Sequence, residues 1–202
     1  HRAKGRKREL PVNSMKLSIS RHLFAVIVLL PIFGEALTCT SGAGARNWTT
    51  AGSWSCGRVP LNVDDVIIPS GSTVTLTALG QNIQSLNVQN GGSLIFTAVG
   101  APMPNVSGSK TFGATSTVTY NGAGTQTVSA ETYGNLTLTR PNGTRTRTAA
   151  AGTHTIQGLF NLAGNTVWNG TTNNPTVNFQ GNITRTGTFN SGTGMYTFNG
   201  TT

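Results

Sequence analysis

The sequence predicts an all-β protein folded as a right-handed parallel β-helix, a β-solenoid whose coils stack along one axis. Short segments of alternating apolar and polar residues, rich in Thr, Val and Asn, recur along the chain between turn residues. Glycine contributes 26 of the 202 residues, as a fold with many tight turns requires. Repeated spacings between the segments favour stacked repeats. A β-sandwich is the alternative architecture, and its hairpin strands would not require such a period.

Residues 15–36 have the layout of a secretory signal peptide. A short basic segment precedes an apolar run of eleven residues, Leu23–Phe33, and small residues stand where a signal peptidase would cut. A membrane span needs roughly 20 apolar residues, so this run is too short to anchor the chain. We therefore expect an extracellular or cell-surface protein whose mature chain starts near Leu37. We interpret residues 1–14 as a non-native upstream extension.

The net charge of +9 arises largely in this N-terminal part. Residues 37–202 carry seven basic and three acidic residues, and the basic ones are scattered along the chain. A nucleic-acid-binding protein needs a basic face interleaved with aromatic residues. We therefore expect no nucleic-acid partner, and we expect membrane contact only through the export signal or through a C-terminal anchor missing from this sequence.

Residues 37–70 are predicted to form an N-terminal cap. Both cysteines of the chain, Cys39 and Cys56, lie in it, and export to an oxidising compartment predicts a disulfide between them. Closing a loop of this length stabilises a fold by about 3 kcal/mol in the chain-entropy interpretation. The alternative, a reactive thiol or a metal site, lacks further ligands, since His154 is the single histidine after residue 36.

Trp48, Trp54 and Pro60 belong to the irregular part of the cap. We expect the two indole rings to cover the open end of the solenoid, because each buries a large apolar area. The alternative is that a tryptophan stacks on a sugar ring. The candidate glycan contacts are Trp54 and three arginines around the turn signal Pro141-Asn-Gly143, namely Arg140, Arg145 and Arg147. A solvated loop is the plainer interpretation of those arginines.

The acidic pair Asp64-Asp65 opens the first clear strand. Neighbouring strand residues point to opposite faces, so these carboxylates cannot act on one substrate. We expect them to form a turn and to accept hydrogen bonds from local amides. We expect His154, a lone histidine in a strand, to face outward. The sequence predicts no catalytic residue, no metal site and no cofactor.

Residues 71–202 contain the predicted solenoid repeats. In the first one, Val74 and Leu76 are expected to face inward while Thr73 and Thr75 face outward. The predicted strands are 71–76, 85–89, 92–96, 116–120, 135–138, 153–156, 176–179, 183–189 and 195–198.

Two spacings support the solenoid. Four glycines that precede strands recur at a constant interval, and they are Gly71, Gly92, Gly113 and Gly134. A fixed interval of this kind predicts coils of about 21 residues. A longer echo relates residues 118–122 to residues 196–200. Because no polar terminal cap follows the last repeat, we expect the solenoid to be truncated at residue 202.

The pattern Trp48…Trp54-Ser-Cys-Gly-Arg-Val-Pro60, followed by Asp64-Asp-Val-Ile-Ile-Pro-Ser-Gly71, resembles the opening of large secreted bacterial β-helix proteins. It is similar to G8-type domains and to MshQ-like proteins associated with mannose-sensitive haemagglutinin pili. The segment 116–138 resembles repeats of filamentous-haemagglutinin-like surface proteins. The resemblance covers roughly residues 39–200. It implies a right-handed β-helix at the bacterial cell surface, and it carries no catalytic residue onto this chain.

From these observations we expect an exported, non-catalytic β-solenoid segment of a bacterial surface protein, serving adhesion or structural display. Its partners would be cell-surface glycans or other surface proteins. The alternative is the N-terminal part of a β-helix carbohydrate-active enzyme of the polysaccharide lyase type. Its active site would then lie beyond residue 202, because a lyase needs charged residues converging in a cleft. A third hypothesis, a pilus-associated assembly factor, depends on the resemblance alone.

Overall fold

The computed structural model of the chain describes residues 35–200. Residues 1–14 and nearly all of the predicted signal peptide lie outside this range. The described residues form strands and one short 3₁₀ helix, because their alternating apolar pattern suits pleated strands and their glycines suit tight turns. None of their helices is long and apolar enough to cross a lipid bilayer.

The strands, in chain order, have the following bounds. They are β1 (Thr38–Thr40), β2 (Gly44–Asn47), β3 (Asp65–Ile68), β4 (Ser72–Leu76), β5 (Asn82–Ile83), β6 (Ser85–Val88), β7 (Ser93–Phe96), β8 (Asn105–Val106), β9 (Lys110–Phe112), β10 (Thr117–Tyr120), β11 (Gln126–Val128), β12 (Thr132–Tyr133), β13 (Asn135–Leu138), β14 (Arg145–Ala149), β15 (Thr153–Ile156), β16 (Phe160–Leu162), β17 (Thr166–Asn169), β18 (Thr176–Phe179), β19 (Ile183–Arg185), β20 (Thr188–Asn190) and β21 (Met195–Phe198). The 3₁₀ helix spans Ala51–Ser53.

The strands stack in parallel from one coil to the next. A seven-stranded sheet has the order β2-β4-β7-β10-β13-β16-β19. Three four-stranded sheets have the orders β1-β3-β6-β9, β11-β14-β17-β20 and β12-β15-β18-β21, and β5 pairs with β8. This arrangement is a β-solenoid of about seven turns of roughly 23 residues. The predicted solenoid is confirmed, and the sandwich alternative is wrong because the paired strands come from successive coils.

Coil length varies more than the glycine series predicts. In the seven-stranded sheet Thr73 pairs with Ser93, Ser93 with Thr117, and Thr117 with Asn135. The second of these three steps is the longest and the third is the shortest. Since Ser93 pairs with Thr117, the residues that precede them, Gly92 and Ser116, lie side by side. Gly92 therefore does not lie beside Gly113, as the glycine series would require. The constant glycine spacing therefore approximates the average length of a coil, but it does not show which residues of neighbouring coils pair.

The longer sequence echo does not mark equivalent positions. Val118 and Tyr120 lie on β10, in the seven-stranded sheet, whereas Tyr196 and Phe198 lie on β21, in a different sheet. The echo reflects the shared preference of strands for Val, Tyr, Thr and Phe.

A continuous apolar core fills the interior of the solenoid. Val74 and Leu76 are fully buried, whereas Thr73 and Thr75 are half-buried, as the alternation predicts. Successive coils also pack tightly at a corner that follows β12, β15 and β18. A Cβ atom added at Gly181 would lie well inside van der Waals contact of the Gly158 carbonyl oxygen, so this corner requires glycine.

Candidate functional site

The cap tryptophans are core residues. Trp48 is fully buried and Trp54 is 4% exposed, with ring centroids 5.1 Å apart in an edge-to-face arrangement. The Trp54 Nε1 donates a hydrogen bond of 2.8 Å to the Trp48 carbonyl oxygen, and Pro60 is also buried. Trp54 therefore presents no ring face to a sugar, which corrects the glycan alternative and favours the cap interpretation.

The predicted disulfide is present. Cys39 and Cys56 are joined at 2.05 Å, with their Cα atoms 4.9 Å apart. Cys39 lies on β1 and its partner lies in the irregular segment beyond the 3₁₀ helix. The bond thus ties that segment to the first strand, as expected of a cap.

The Asp64 carboxylate joins three parts of the cap through hydrogen bonds. Its buried carboxylate accepts hydrogen bonds from the backbone amides of Leu37 (2.9 Å) and Leu61 (2.8 Å). Arg58 donates two more, from Nε at 3.2 Å and from Nη2 at 2.7 Å. Burial raises the pKa of Asp64, but the hydrogen bonds from Arg58 and the two amides outweigh it and lower the pKa overall.

The three-arginine contact surface does not form, because Arg147 lies inside the protein. It belongs to β14 rather than to a loop, and it is fully buried. Its guanidinium donates hydrogen bonds to the carbonyl oxygens of Gly124 (2.7 Å), Gly122 (2.9 Å) and Thr139. Burial, and then the charge of Arg145, lower the pKa of Arg147 to about 10. The side chain therefore fixes a turn from within.

The other two arginines are half-buried at the surface. Arg140 Nε donates a hydrogen bond of 3.2 Å to the Gly164 carbonyl oxygen, one coil further along. Arg145 Nη2 donates one of 3.1 Å to the Asn142 side-chain oxygen. Both guanidinium groups thus bind the protein's own turns.

His154 faces the core, contrary to the expectation that it faces outward. Its ring is fully buried, lies edge-on to Trp168 at 5.7 Å, and places Nε2 3.0 Å from the Ala150 carbonyl oxygen. Burial lowers the pKa of His154. The neutral imidazole therefore serves as a packing residue with Nε2 as the donor.

Two further acidic side chains have structural partners. Glu131 forms an ion pair with Lys110, and Asp65 accepts a hydrogen bond of 2.5 Å from the Ser85 hydroxyl. Residues 35–200 contain no group of three or more His, Cys, Asp or Glu side chains arranged to hold a metal ion.

A side groove crosses the first three coils, and sequence inspection missed it. It consists of two adjoining depressions, with volumes of about 590 and 270 Å³, which share Asn62 and Asn82. Because carboxamides are its most frequent polar groups, we call it the amide groove. Its lining residues are Val59, Pro60, Leu61, Asn62, Gly80, Gln81, Asn82, Ile83, Asn105, Val106 and Ser107.

Solenoid register aligns the amides of the groove. Asn82 on β5 pairs with Asn105 on β8, and Asn105 Nδ2 donates a hydrogen bond of 3.0 Å to Asn82 Oδ1. Asp65 pairs with Ser85 in the next coil. Asn62 and Asn82 each precede one of these paired residues by three positions, so they occupy equivalent places in neighbouring coils. One exposed asparagine therefore projects from each of three successive coils. The only sequence signal was the similar spacing of these asparagines, about one coil apart.

The last coil that the structure describes exposes apolar side chains, and we call it the open end. Met195 and Phe198 on β21 are 62% and 64% exposed, and Ile183 on β19 is 41% exposed. A cavity of about 350 Å³ opens there, lined by Phe160, Phe179, Ile183, Arg185, Phe189 and Phe198. This end presents an apolar surface beside the outer edges of β19, β20 and β21.

No protein-family model, no curated protein and no solved structure matches this chain. The resemblance to G8-type and MshQ-like proteins therefore stays an expectation from the residues quoted above.

Proposed function

We propose that the chain is an exported, non-catalytic β-solenoid segment of a bacterial cell-surface protein, serving adhesion or structural display. The observation that carries the proposal is a parallel stack of about seven coils that shares one core and is covered at its N-terminal end. Such a stack is a stiff, elongated support, because each coil is held by its neighbours on both sides. An elongated support is suited to hold contact groups away from the cell.

The outward faces supply those contact groups. On the seven-stranded sheet Thr119, Thr137, Asn161 and Thr184 occupy one register position on four successive coils. Polar side chains that repeat along the axis present the same hydrogen-bonding group several times. Contacts that are weak individually then act together through their high effective concentration.

The titratable groups support a structural role. Asp64 is held by Arg58, Glu131 pairs with Lys110, and His154 packs against Trp168. Each of these groups contributes to the fold instead of facing a shared cleft. The Cys39–Cys56 disulfide supports export, because disulfides persist mainly in oxidising compartments.

The proposal is tested by expressing the full 202-residue chain with a C-terminal epitope tag in a bacterial host. We expect the chain to leave the cytoplasm and to start near Leu37 by N-terminal sequencing. Beads coated with the mature chain should adhere to cells or to matrix glycans. The control is Val28→Arg, which interrupts the apolar run of the signal and should keep the chain in the cytoplasm.

An unprocessed wild-type chain in the cytoplasm would overturn export. Depolymerisation of a polysaccharide by the purified chain would overturn the non-catalytic role, and it would also contradict the lyase alternative, which expects the active site beyond residue 202. Beads that adhere to no cell and no matrix would leave structural display as the function.

A further inference from the structure

We propose that the amide groove binds a neutral oligosaccharide, with Asn62, Asn82 and Asn105 directed at its hydroxyl groups. This inference names a ligand class for the surface protein of the proposed function and rests on it. The groove is unrelated to the tryptophan and arginine contacts that the sequence suggested. It begins at residues 59–62 of the cap and extends along the solenoid axis to residues 105–107.

The hydrogen-bonding groups of the groove suit hydroxyls. A carboxamide offers two N–H donors and a carbonyl acceptor, and a hydroxyl both donates and accepts, so neighbouring sugar hydroxyls can pair with one amide. Within residues 35–200 the exposed Asn62 side chain makes no hydrogen bond, and Asn105 uses its Nδ2 but not its Oδ1. Asn82, by contrast, is oriented by a bond of 3.1 Å from its Nδ2 to the Gly80 carbonyl oxygen. The groove thus combines one positioned amide with two that retain free groups.

The absence of charged side chains from the groove lining favours a neutral sugar over an acidic one. None of the residues that line the two depressions is charged. An acidic polysaccharide would require cationic partners to offset the desolvation of its carboxylates or sulfates. Arg140 binds a carbonyl oxygen one coil further along, Arg145 binds a side chain of its own turn, and both lie outside this lining. A neutral glycan therefore fits the groove better than an acidic one.

Apolar surface completes the match. Leu61 is 43% exposed at the groove, and Val59 and Val106 are half-buried there. The C–H faces of a sugar ring can pack on such side chains while its hydroxyls reach the amides, which is the usual composition of a small-molecule site. Because no aromatic ring lines the groove, we expect a single groove to bind an oligosaccharide weakly. Strong attachment would then require many copies of the protein to bind one surface at the same time.

Spacing suggests the orientation of the ligand. Adjacent coils of a β-solenoid lie about 4.8 Å apart, which is close to the length that one sugar unit adds to an extended chain. The three asparagines would then meet successive units of a linear oligosaccharide lying along the axis. A disaccharide or trisaccharide spans the distance from Asn62 to Asn105, about 10 Å at that coil spacing.

The test measures binding of defined oligosaccharides to the full chain by isothermal titration calorimetry. The probes are neutral cello-, xylo- and manno-hexaose, with hexagalacturonate as the acidic comparison. We expect at least one neutral hexaose to bind in the millimolar range or tighter, and to bind better than hexagalacturonate. Asn62→Ala should weaken binding about fivefold, the effect of one lost hydrogen bond.

Two variants keep the test sharp. Asn87→Ala is the matched control, because Asn87 lies on β6 of the same coil as Asn82 but outside the groove. It should bind as the wild type does. Asn62→Ala removes no hydrogen bond from the described structure, so it should retain the wild-type circular dichroism spectrum and melting temperature even if Asn82→Ala does not.

The groove inference is overturned if no neutral hexaose binds, if hexagalacturonate binds better, or if Asn62→Ala binds as the wild type does. Failure here is distinguishable from failure of the proposed function. An exported chain that adheres to cells equally well with and without Asn62→Ala contradicts the groove but leaves adhesion intact. A chain that is retained in the cytoplasm yet binds a neutral hexaose through Asn62 contradicts export but leaves the groove intact.

Discussion

The first and last coils that the structure describes differ in what covers their aromatic residues. At the N-terminal end, Trp48 and Trp54 are buried over the first coils, a disulfide holds the covering segment, and Asp64 receives four hydrogen bonds from Arg58, Leu37 and Leu61. At the C-terminal end, Phe198 is 64% exposed over an open cavity. Both ends are rich in aromatic residues. At the N-terminal end a disulfide-bonded segment with a buried carboxylate covers the aromatic residues, whereas no such segment in the described part of the chain covers them at the C-terminal end.

The comparison of the two ends shows what closing a solenoid requires. A stack leaves apolar surface and unpaired backbone groups at each terminal coil. At the closed end the buried carboxylate of Asp64 satisfies the amides of the covering turn, which otherwise would lose water without a partner. The open end shows the surface of a coil without such a cover. We therefore expect the same substitution to have very different effects at the two ends.

The largest expected effect comes from truncating one aromatic residue at each end. Trp48→Ala should lower the free energy of unfolding by about 3–5 kcal/mol, because it leaves a cavity in a fully packed site. Phe198→Ala, the matched variant at the open end, should lower it by less than about 1 kcal/mol, since most of that ring is already exposed. Urea unfolding followed by circular dichroism measures both. Equal losses would show that the ends are energetically alike.

The second effect concerns the cross-link. The double variant Cys39→Ser, Cys56→Ser should lose about 3 kcal/mol, the entropy that closure of the loop removes from the unfolded chain. Hydrogen exchange should show the loss at β1–β3, while β16–β18 keep their protection. Reducing the wild-type protein should reproduce the pattern. A uniform loss along the solenoid would contradict a cap that acts locally.

A third test uses pH. Because the folded-state pKa of Asp64 lies below its unfolded value of about 3.9, its contribution is complete above that value and disappears as pH falls through the folded pKa. Asp64→Asn should lose about 2 kcal/mol at pH 7 and should flatten the acid limb of the stability curve. Urea midpoints between pH 2 and pH 7 measure this. An unchanged curve in Asp64→Asn would contradict the assignment.

The smallest expected effect on stability lies at the open end. Met195→Lys should change the free energy of unfolding by about 0.5 kcal/mol or less, because most of that side chain is exposed. Ile183→Lys, at a position that is 41% exposed, should lower it by at most about 1 kcal/mol. Charges beside an open strand edge oppose pairing with another chain. We therefore expect them to raise the concentration at which the protein associates, measured by light scattering. The control is Leu79→Lys, an exposed position away from this edge, which should leave association unchanged.

The sequence predicted the solenoid because its simplest signal, period-two alternation, is what strands with one buried face require. Val74 and Leu76 illustrate the success. The same signal was overlooked where the inward residue is polar. His154 stands two residues before the buried Ile156 and Arg147 two before Ala149, so alternation itself places both inward. Polarity and the nearby turn signal misled the prediction into an outward histidine and an arginine loop.

The cap could be predicted from the sequence, whereas the amide groove could not. The disulfide and the tryptophan cover followed from residue types that have few alternatives in a chain that is predicted to be exported. The amide groove depends on which asparagines share a register, and coil lengths that change from one turn to the next cannot be read from asparagines alone. Register is fixed by packing along the whole coil, and a sequence of frequent Asn and Thr offers many equivalent alignments.

Strand pairing between distant residues has a consequence for how the molecule assembles. Paired strands in the described part of the chain are separated by a whole coil, as Thr117 is from Asn135 and Gly44 is from Ser72. Without local hairpins, each coil must wait for a finished neighbour before it can order, and folding is expected to be slow. If the chain is exported as proposed, its amino end emerges first, and the disulfide-bonded cap is available before any other coil. The cap would then be the template on which the solenoid grows, coil by coil, and the pace of export would set the pace of folding.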